Sequence, residues 1–451
     1  MHTRGLNRRD LLQVGCSSFL GLTLPGLLAQ RLQAKNASAA KSVILVFQTG
    51  GGSHIDSFDP KPTQPTIKGE FSPIATKIAG VQFTECVPHL AAHTDKFAVI
   101  RSLAHGDNRH LSGTHNTLTG KPQVFRGNAN TDKELSRLDW PCYGGGLEYF
   151  RPLSGVLPSQ VTLPLPLIEG TLKWPGQHAG FLGPKYDPLQ VNSDPNSADF
   201  KVDCLQLIDG ITTSRLVDRK ALLADLNQQA RILDQLVKKN HFTSQQEVAY
   251  SMLASGKLAD AFDLSREPDQ LRDKYGRCEM GQSLLLARRL IEHGVPYVQA
   301  NMGHVQTWDT HTDNFSRLKD KLLPGIDTGV SALIDDLEDR NLLDDVLVIV
   351  VGEFGRSPNI STLGDNPKAG RGHWAPCYTG LFAGAGVRGG QVIGQSDKNG
   401  GYPVTPPYHP NDIGATIYQT LGVDPNSFIT DHQGRPIRLN TGKVLDILYT
   451  G

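Results

Sequence analysis

The sequence predicts an α/β fold in which a mostly parallel sheet is sandwiched by helices. Short, continuous apolar runs mark strands buried on both faces. Longer stretches between them place apolar residues at i, i+3 and i+4, the spacing of a helix with one buried side. The two alternate along the chain, as crossover connections between parallel strands require.

Residues 1–39 read as an export signal rather than as part of that fold. Arg4, Arg8 and Arg9 precede an apolar run from Leu11 to Leu28, and Ala37-Ser38-Ala39 offers a small-residue cleavage site. Asn7-Arg8-Arg9-Asp10-Leu11-Leu12 matches the twin-arginine pattern. A membrane anchor competes with this reading, but Gln13, Ser17, Ser18 and Pro25 interrupt the run, and a span needs about 20 mostly apolar residues. A lipoprotein reading through Cys16 meets Gln13 where leucine is expected. The expectation is a bacterial protein sent to the periplasm or beyond by the twin-arginine route. That route carries folded chains and suits one that loads a metal before export.

Residues 40–451 show no Ser/Pro/Gly linker and no internal repeat, so a single domain is expected there. This stretch holds 40 basic and 44 acidic residues, a net charge of about −4, which argues against non-specific nucleic-acid binding. No later run is apolar enough to span a membrane. Cys86, Cys142, Cys204, Cys278 and Cys377 form no CxxC pair, so a zinc–thiolate site is not expected, and the odd count leaves at least one free thiol.

Five strands are expected. Ser42–Phe47 leads into Gly50-Gly51-Gly52, a loop where the backbone must approach another group closely. Phe97–Leu103, Val295–Ala300, Val346–Val351 and Thr379–Ala383 follow. Helical spacing occupies residues 218–239, residues 279–293 and Pro324–Asn341, the last with proline near its start. Residues 121–210 are richer in Pro, Gly and polar residues, so an irregular insertion that roofs the site is expected there. In such sheets the site lies in loops beyond the carboxyl ends of the strands.

Four segments after those strands concentrate His, Asp and Glu. They are Gly52 to Asp59, His105 to His115, His304 to Asp313, and Glu353 to Arg356 together with Arg371 to Trp374. Imidazole and carboxylate oxygens are the usual ligands of zinc and manganese. Asp309 and His311 are two apart, so an extended segment would turn both to one side. Ser112 or Thr114 would act as a nucleophile only if a base or metal activated the hydroxyl. Structural readings stay open beside these: Asp309 as a helix cap, Glu353 as a partner of Arg356 or Arg371, and Asp56 and Asp59 as turn formers before Pro60.

Together these segments resemble the domain-of-unknown-function family 1501. The resemblance rests on Ser42 to Pro60, Lys68 to Phe71, His110 to Gly120, Gly281 to Arg289, Trp308 to His311, Gly352 to Pro358 and Gly389 to Gly394. It implies a branch of the alkaline phosphatase-like superfamily, which includes sulfatases. His409 to Ile417 with Leu421-Gly422 is similar to the closing helix of sulfatases, and Leu118-Thr119-Gly120 to the stretch after their nucleophile. There are departures. Glu353-Phe354 stands where the superfamily has a metal-binding Asp-His pair, Gln48 stands where an acid is expected, and the sulfatase nucleophile signature is absent. Counting back from Gly120 puts His110 at the nucleophile position, and a shift of two brings in Ser112.

The expectation is an alkaline phosphatase-like, metal-dependent hydrolase of phosphate or sulfate esters, acting on a small-molecule or polysaccharide substrate. Asp56, Asp309, His311, Glu353 and His373 are the expected ligands of a divalent metal, zinc or manganese. Ser112 or His110 would take the nucleophile position, and Arg356 or Arg371 would hold the anionic group by paired hydrogen bonds. The lost Asp-His pair favours an alternative: a degenerate member that binds a carbohydrate or a protein partner without turnover.

Overall fold

The computed structural model describes residues 41–123, 132–153, 157–202, 256–364 and 367–450. The export signal and the helical spacing over residues 218–239 lie outside the described residues. The sheet is built from β1 (Ser42–Gln48), β2 (Phe97–Leu103), β3 (Gln160–Leu163), β4 (Leu189–Gln190), β5 (Tyr297–Asn301) and β6 (Val346–Gly352). After a hairpin of β7 (Gly355–Ser361) and β8 (Gly370–Trp374), β9 (Tyr378–Ala383) and β10 (Gln391–Ile393) complete it. The order across the eight-stranded sheet is β10–β2–β9–β6–β1–β5–β3–β4. Every neighbouring pair is parallel except those made by β9, which runs against both β6 and β2.

The five expected strands are all present, because each apolar run is buried on both faces. In β1, Ile44 and Val46 enter one core while Val43, Leu45 and Phe47 enter the other. Val346, Val348 and Val350 of β6 join the first core, and Leu347, Ile349 and Val351 the second. This is the period-two alternation of a strand with apolar residues in both phases. Fully burying one such side chain contributes roughly 1.5–3 kcal/mol.

Helices α1 (His110–Thr119), α2 (Tyr143–Phe150), α3 (Glu279–Glu292), α4 (Leu323–Asp339) and α5 (Pro410–Thr420) cover the sheet. Leu284, Leu290, Ile326, Val330 and Leu333 of α3 and α4 fill the first core. Leu111, Leu118, Leu147, Ile413 and Ile417 of α1, α2 and α5 fill the second. Among the described residues no helix is long and apolar enough to cross a membrane, and Cys86, Cys142, Cys278 and Cys377 are free thiols.

Where they are described, residues 121–210 differ from the irregular insertion expected. They contain α2, and they supply β3 and β4 to the sheet. Gln160–Leu163 is four residues long and closed by Pro164, too short a run to show a period against its Pro-rich surroundings. Pairing with β5 makes it a strand.

Candidate metal centre

Strands β5, β1 and β6 finish at one level, with Phe47 opposite Asn301 and Gln48 opposite Gly352. Their outgoing loops therefore meet above the same end of the sheet. Gly50 has φ +112°, and a Cβ there would lie 2.6 Å from the Asp309 nitrogen, so only glycine fits. The closeness lets the Gly50 N–H donate to Glu353 Oε2 at 3.0 Å. Trp308 clamps the loop after β5: its backbone N–H donates to the Thr49 carbonyl at 2.8 Å, and its indole N–H to the Met302 carbonyl at 2.7 Å. Asp309 follows directly. His373 enters from β8 as the cross-strand partner of Arg356, and His110 from the first turn of α1.

These elements bring four side chains together. His110 Nε2 lies 3.3 Å from Asp309 Oδ2. His373 Nε2 and His311 Nε2 lie 3.2 Å and 3.3 Å from Asp309 Oδ1, and 2.9 Å from each other. The ligand atoms of His110, Asp309 and His373 are all within 4.8 Å of one another. Donors at about 2.0–2.1 Å from a tetrahedral zinc stand about 3.3–3.4 Å apart, and each histidine lies at that distance from an oxygen of Asp309. His110 Nε2 is buried and makes no hydrogen bond among the described residues; its contact with Asp309 is an ion pair without hydrogen-bond geometry. A divalent ion between this nitrogen and the carboxylate would take the place of the proton that now holds them together. The donor set fits a divalent cation.

The electrostatics are those of a tight charge cluster. Burial pushes the His110 imidazole down, but Asp309 and Glu353 outweigh it and raise the pKa to about 9. Burial would raise Asp309, yet His110, His373 and Arg356 hold it far below the usual carboxylate range. Burial lowers His311 despite the pull of Asp309, and it lowers Arg356 despite its ion pair with Asp309.

Other expected site residues are placed elsewhere. Both Asp56 oxygens are held by Arg371, Nε to Oδ2 at 2.7 Å and Nη2 to Oδ1 at 2.9 Å, with neither side chain exposed. Ser53 and Asn314 also donate to Asp56. A carboxylate so saturated ties the loop after β1 to β8 and is not brought to the cluster. Glu353 stands behind His110, whose Nδ1 is 2.8 Å from Oε1, so it does not face Asp309. The Ser112 hydroxyl donates to Asp107 Oδ2 at 2.5 Å and is not among the converging groups.

Arg356 is engaged on all three nitrogens. It donates to the Gly51 carbonyl at 2.9 Å and to the carbonyls of Gly50 and Arg371, and it pairs with Asp309 at 2.5 Å. It braces Asp309 rather than presenting a free fork. Arg371 is equally occupied, by Asp56 and by the carbonyls of Ile67, Ser357 and Pro358. Neither guanidinium is left to grip an anion.

Three neighbours were given no site role in the sequence reading. Trp174 stacks on His110 with ring centres 5.4 Å apart, and Phe354 lies 5.1 Å from His110 and 4.8 Å from His373. The Asn108 carbonyl is 2.8 Å from His373 Nδ1. Trp174 sits in the Pro/Gly-rich stretch, where no periodicity singles it out. A carbonyl carries no side-chain signal at all.

No individually curated protein matches the sequence. Solved structures that resemble the fold include a sulfatase from Pseudoalteromonas sp., 11% identical with TM-score 0.38, covering 87% of this chain and 70% of that one. A phosphonate monoester hydrolase from Silicibacter pomeroyi is 11% identical with TM-score 0.39, covering 90% and 76%. A variant of the alkaline phosphatase PafA is 10% identical with TM-score 0.40, covering 90% and 98%. Likeness at this level carries no inference about activity. The sequence match is of another order: from residue 40 to residue 448 it follows one family, described as protein of unknown function (DUF1501), and the chain belongs to that family.

Proposed function

We propose that the chain is an exported metal-dependent hydrolase of phosphate or sulfate esters, with His110, Asp309 and His373 as the metal ligands and His311 beside them. One observation carries the reading. Two buried or half-buried imidazoles aim Nε2 at opposite oxygens of a single carboxylate, at the spacing of ligands around one ion. His373 has its Nδ1 tied to a backbone carbonyl, which accepts only, so that ring offers Nε2 inward. Asp309, His311 and His373 remain 17–33% exposed, which leaves one side of the cluster open, as catalytic sites require and structural ones do not. A divalent ion there supplies Lewis-acid polarisation of an ester oxygen; zinc and manganese both suit these ligands. Export to the periplasm by the twin-arginine route is part of the proposal and rests on residues 1–39.

Arg356 supports a second reading. Its ion pair with Asp309 already offsets the carboxylate's charge, and the Ser112 hydroxyl is turned to Asp107. A metal-free member of the family that binds a carbohydrate or a protein partner would have such a self-satisfied cluster. Metal analysis of protein purified without chelators separates the two. About one tightly held equivalent, lost in His373→Ala, supports the hydrolase; a metal-free protein whose melting ignores both chelator and added zinc supports the second reading. A panel of aryl phosphate and sulfate esters then tests turnover.

A further inference from the structure

We infer that Glu353 is a positioning residue, fixing the neutral His110 imidazole with its proton on Nδ1 and its Nε2 lone pair toward Asp309. The inference deepens the metal reading above and rests on it for its function, but the tautomer itself can be tested without metal.

Glu353 ends up fully buried just past β6. Its two oxygens are divided between two donors: Oε1 faces His110 Nδ1 at 2.8 Å and Oε2 accepts the Gly50 N–H at 3.0 Å. Oε2 is already the acceptor of the Gly50 N–H, and Oε1 meets Nδ1 in the same role, which puts the ring proton on Nδ1. In the neutral imidazole the lone pair then belongs to Nε2, the atom that lies 3.3 Å from Asp309 Oδ2 and has no hydrogen bond of its own. The ring has little freedom to reverse, because Trp174 and Phe354 pack against it at 5.4 Å and 5.1 Å. The backbone is held as well, since His105 Nε2 contacts the Glu353 carbonyl at 2.6 Å. The Asn108 carbonyl holds His373 in the same sense, so both imidazoles present the same nitrogen to Asp309. Carboxylate–histidine–metal chains use this arrangement to set ligand orientation and basicity.

Glutamine is the discriminating replacement, because its amide offers one acceptor where Glu353 serves two donors. Either the Gly50 N–H loses its partner, or the amide NH₂ faces His110 and drives the proton to Nε2. Two measurements on parent and Glu353→Gln test the inference. The first is the ¹⁵N spectrum of histidine-labelled, metal-free protein at alkaline pH, where the neutral tautomer is read directly. The parent should show His110 protonated on Nδ1, and Glu353→Gln should shift it toward Nε2–H. A parent in the Nε2–H tautomer overturns the inference whatever the metal result, and the parent spectrum decides even if the variant does not fold.

The second measurement is affinity for Zn²⁺ by chelator competition, with the absorption spectrum of the Co²⁺ form. Glu353→Gln should bind about 10–100-fold more weakly with an altered Co²⁺ spectrum. Equal affinity and an identical spectrum overturn the inference. A parent that binds neither ion fails the metal reading, and it does so without changing the tautomer result.

Discussion

Asp56 and Arg371 form a two-pronged ion pair from which solvent is fully excluded, with Nε on Oδ2 at 2.7 Å and Nη2 on Oδ1 at 2.9 Å. Its members lie 315 residues apart, joining the loop after β1 to β8 and so holding His373 over the sheet. Removing one partner leaves a buried guanidinium without its counter-charge, which costs about 3–5 kcal/mol. Asp56→Asn should lower urea-unfolding stability by that amount while the folded protein keeps its metal. Loss of metal at unchanged stability would restore Asp56 as a ligand.

The ligand set itself makes a sharper prediction. His110→Ala and His373→Ala should each weaken Zn²⁺ binding at least tenfold, since losing even an outer-shell partner of a ligand costs about 10–100-fold. In the parent, saturating metal a thousandfold above its Kd should add about 4 kcal/mol to stability, seen as a rise in melting temperature that chelator reverses. His89→Ala, remote from the cluster, should leave the metal-dependent rise unchanged. Equal rises in all four proteins would remove the cluster from the account.

Ser112 gives the opposite expectation. Its hydroxyl is committed to Asp107, a hydrogen bond to a charged group worth about 1.5–3 kcal/mol. Ser112→Ala should therefore be less stable by roughly that amount but retain metal and any ester turnover. Abolished turnover in a folded, metal-loaded Ser112→Ala would make the hydroxyl the nucleophile after all.

Asp335 provides a pH signature away from the site. It contacts Lys96 at 2.8 Å, Lys274 at 3.1 Å and His93 at 3.1 Å. Burial pushes its carboxyl up, but the two lysines outweigh burial and hold it at about 2, against 3.8 for the free group. Because the folded value is the lower one, the stabilisation is complete above about pH 4 and fades as pH falls toward 2. A depression of this size is worth at most about 2.4 kcal/mol, and partial exposure reduces that to about 1–2 kcal/mol. Asp335→Asn should cost that much in urea unfolding from pH 7 down to about 4.5 and progressively less by pH 3. A cost that is flat across that range would contradict the assignment.

The strands were legible because their signal is local. Val346–Val351 is apolar in both phases, and no partner needs to be known to see that it is buried twice over. The loops after the strands were legible as a place to look, since His, Asp and Glu crowd there. Roles within them were not. Asp56, Asp309 and Glu353 are chemically alike in a sequence, and an arginine partner was expected only for Glu353. Arg371 went to Asp56 and Arg356 to Asp309, while Glu353 received His110 and the Gly50 amide. Gln160–Leu163 was missed for a different reason: four residues become a strand only when β5 offers its edge.

By itself, then, the sequence determined five of the eight strands of the sheet and the helices α3 and α4, that the sheet is mostly parallel, and to which family the chain belongs, since apolar period and motif order are written residue by residue. Only the tertiary structure decided that His110, Asp309 and His373 share one small volume and that Asp56, Ser112 and Glu353 do not share it. Those choices depend on which buried donor reaches which acceptor across hundreds of residues. Arg371 takes both oxygens of Asp56, whereas Arg356 takes only Oδ1 of Asp309 and leaves Oδ2 facing His110, and burial makes each such pairing costly to exchange.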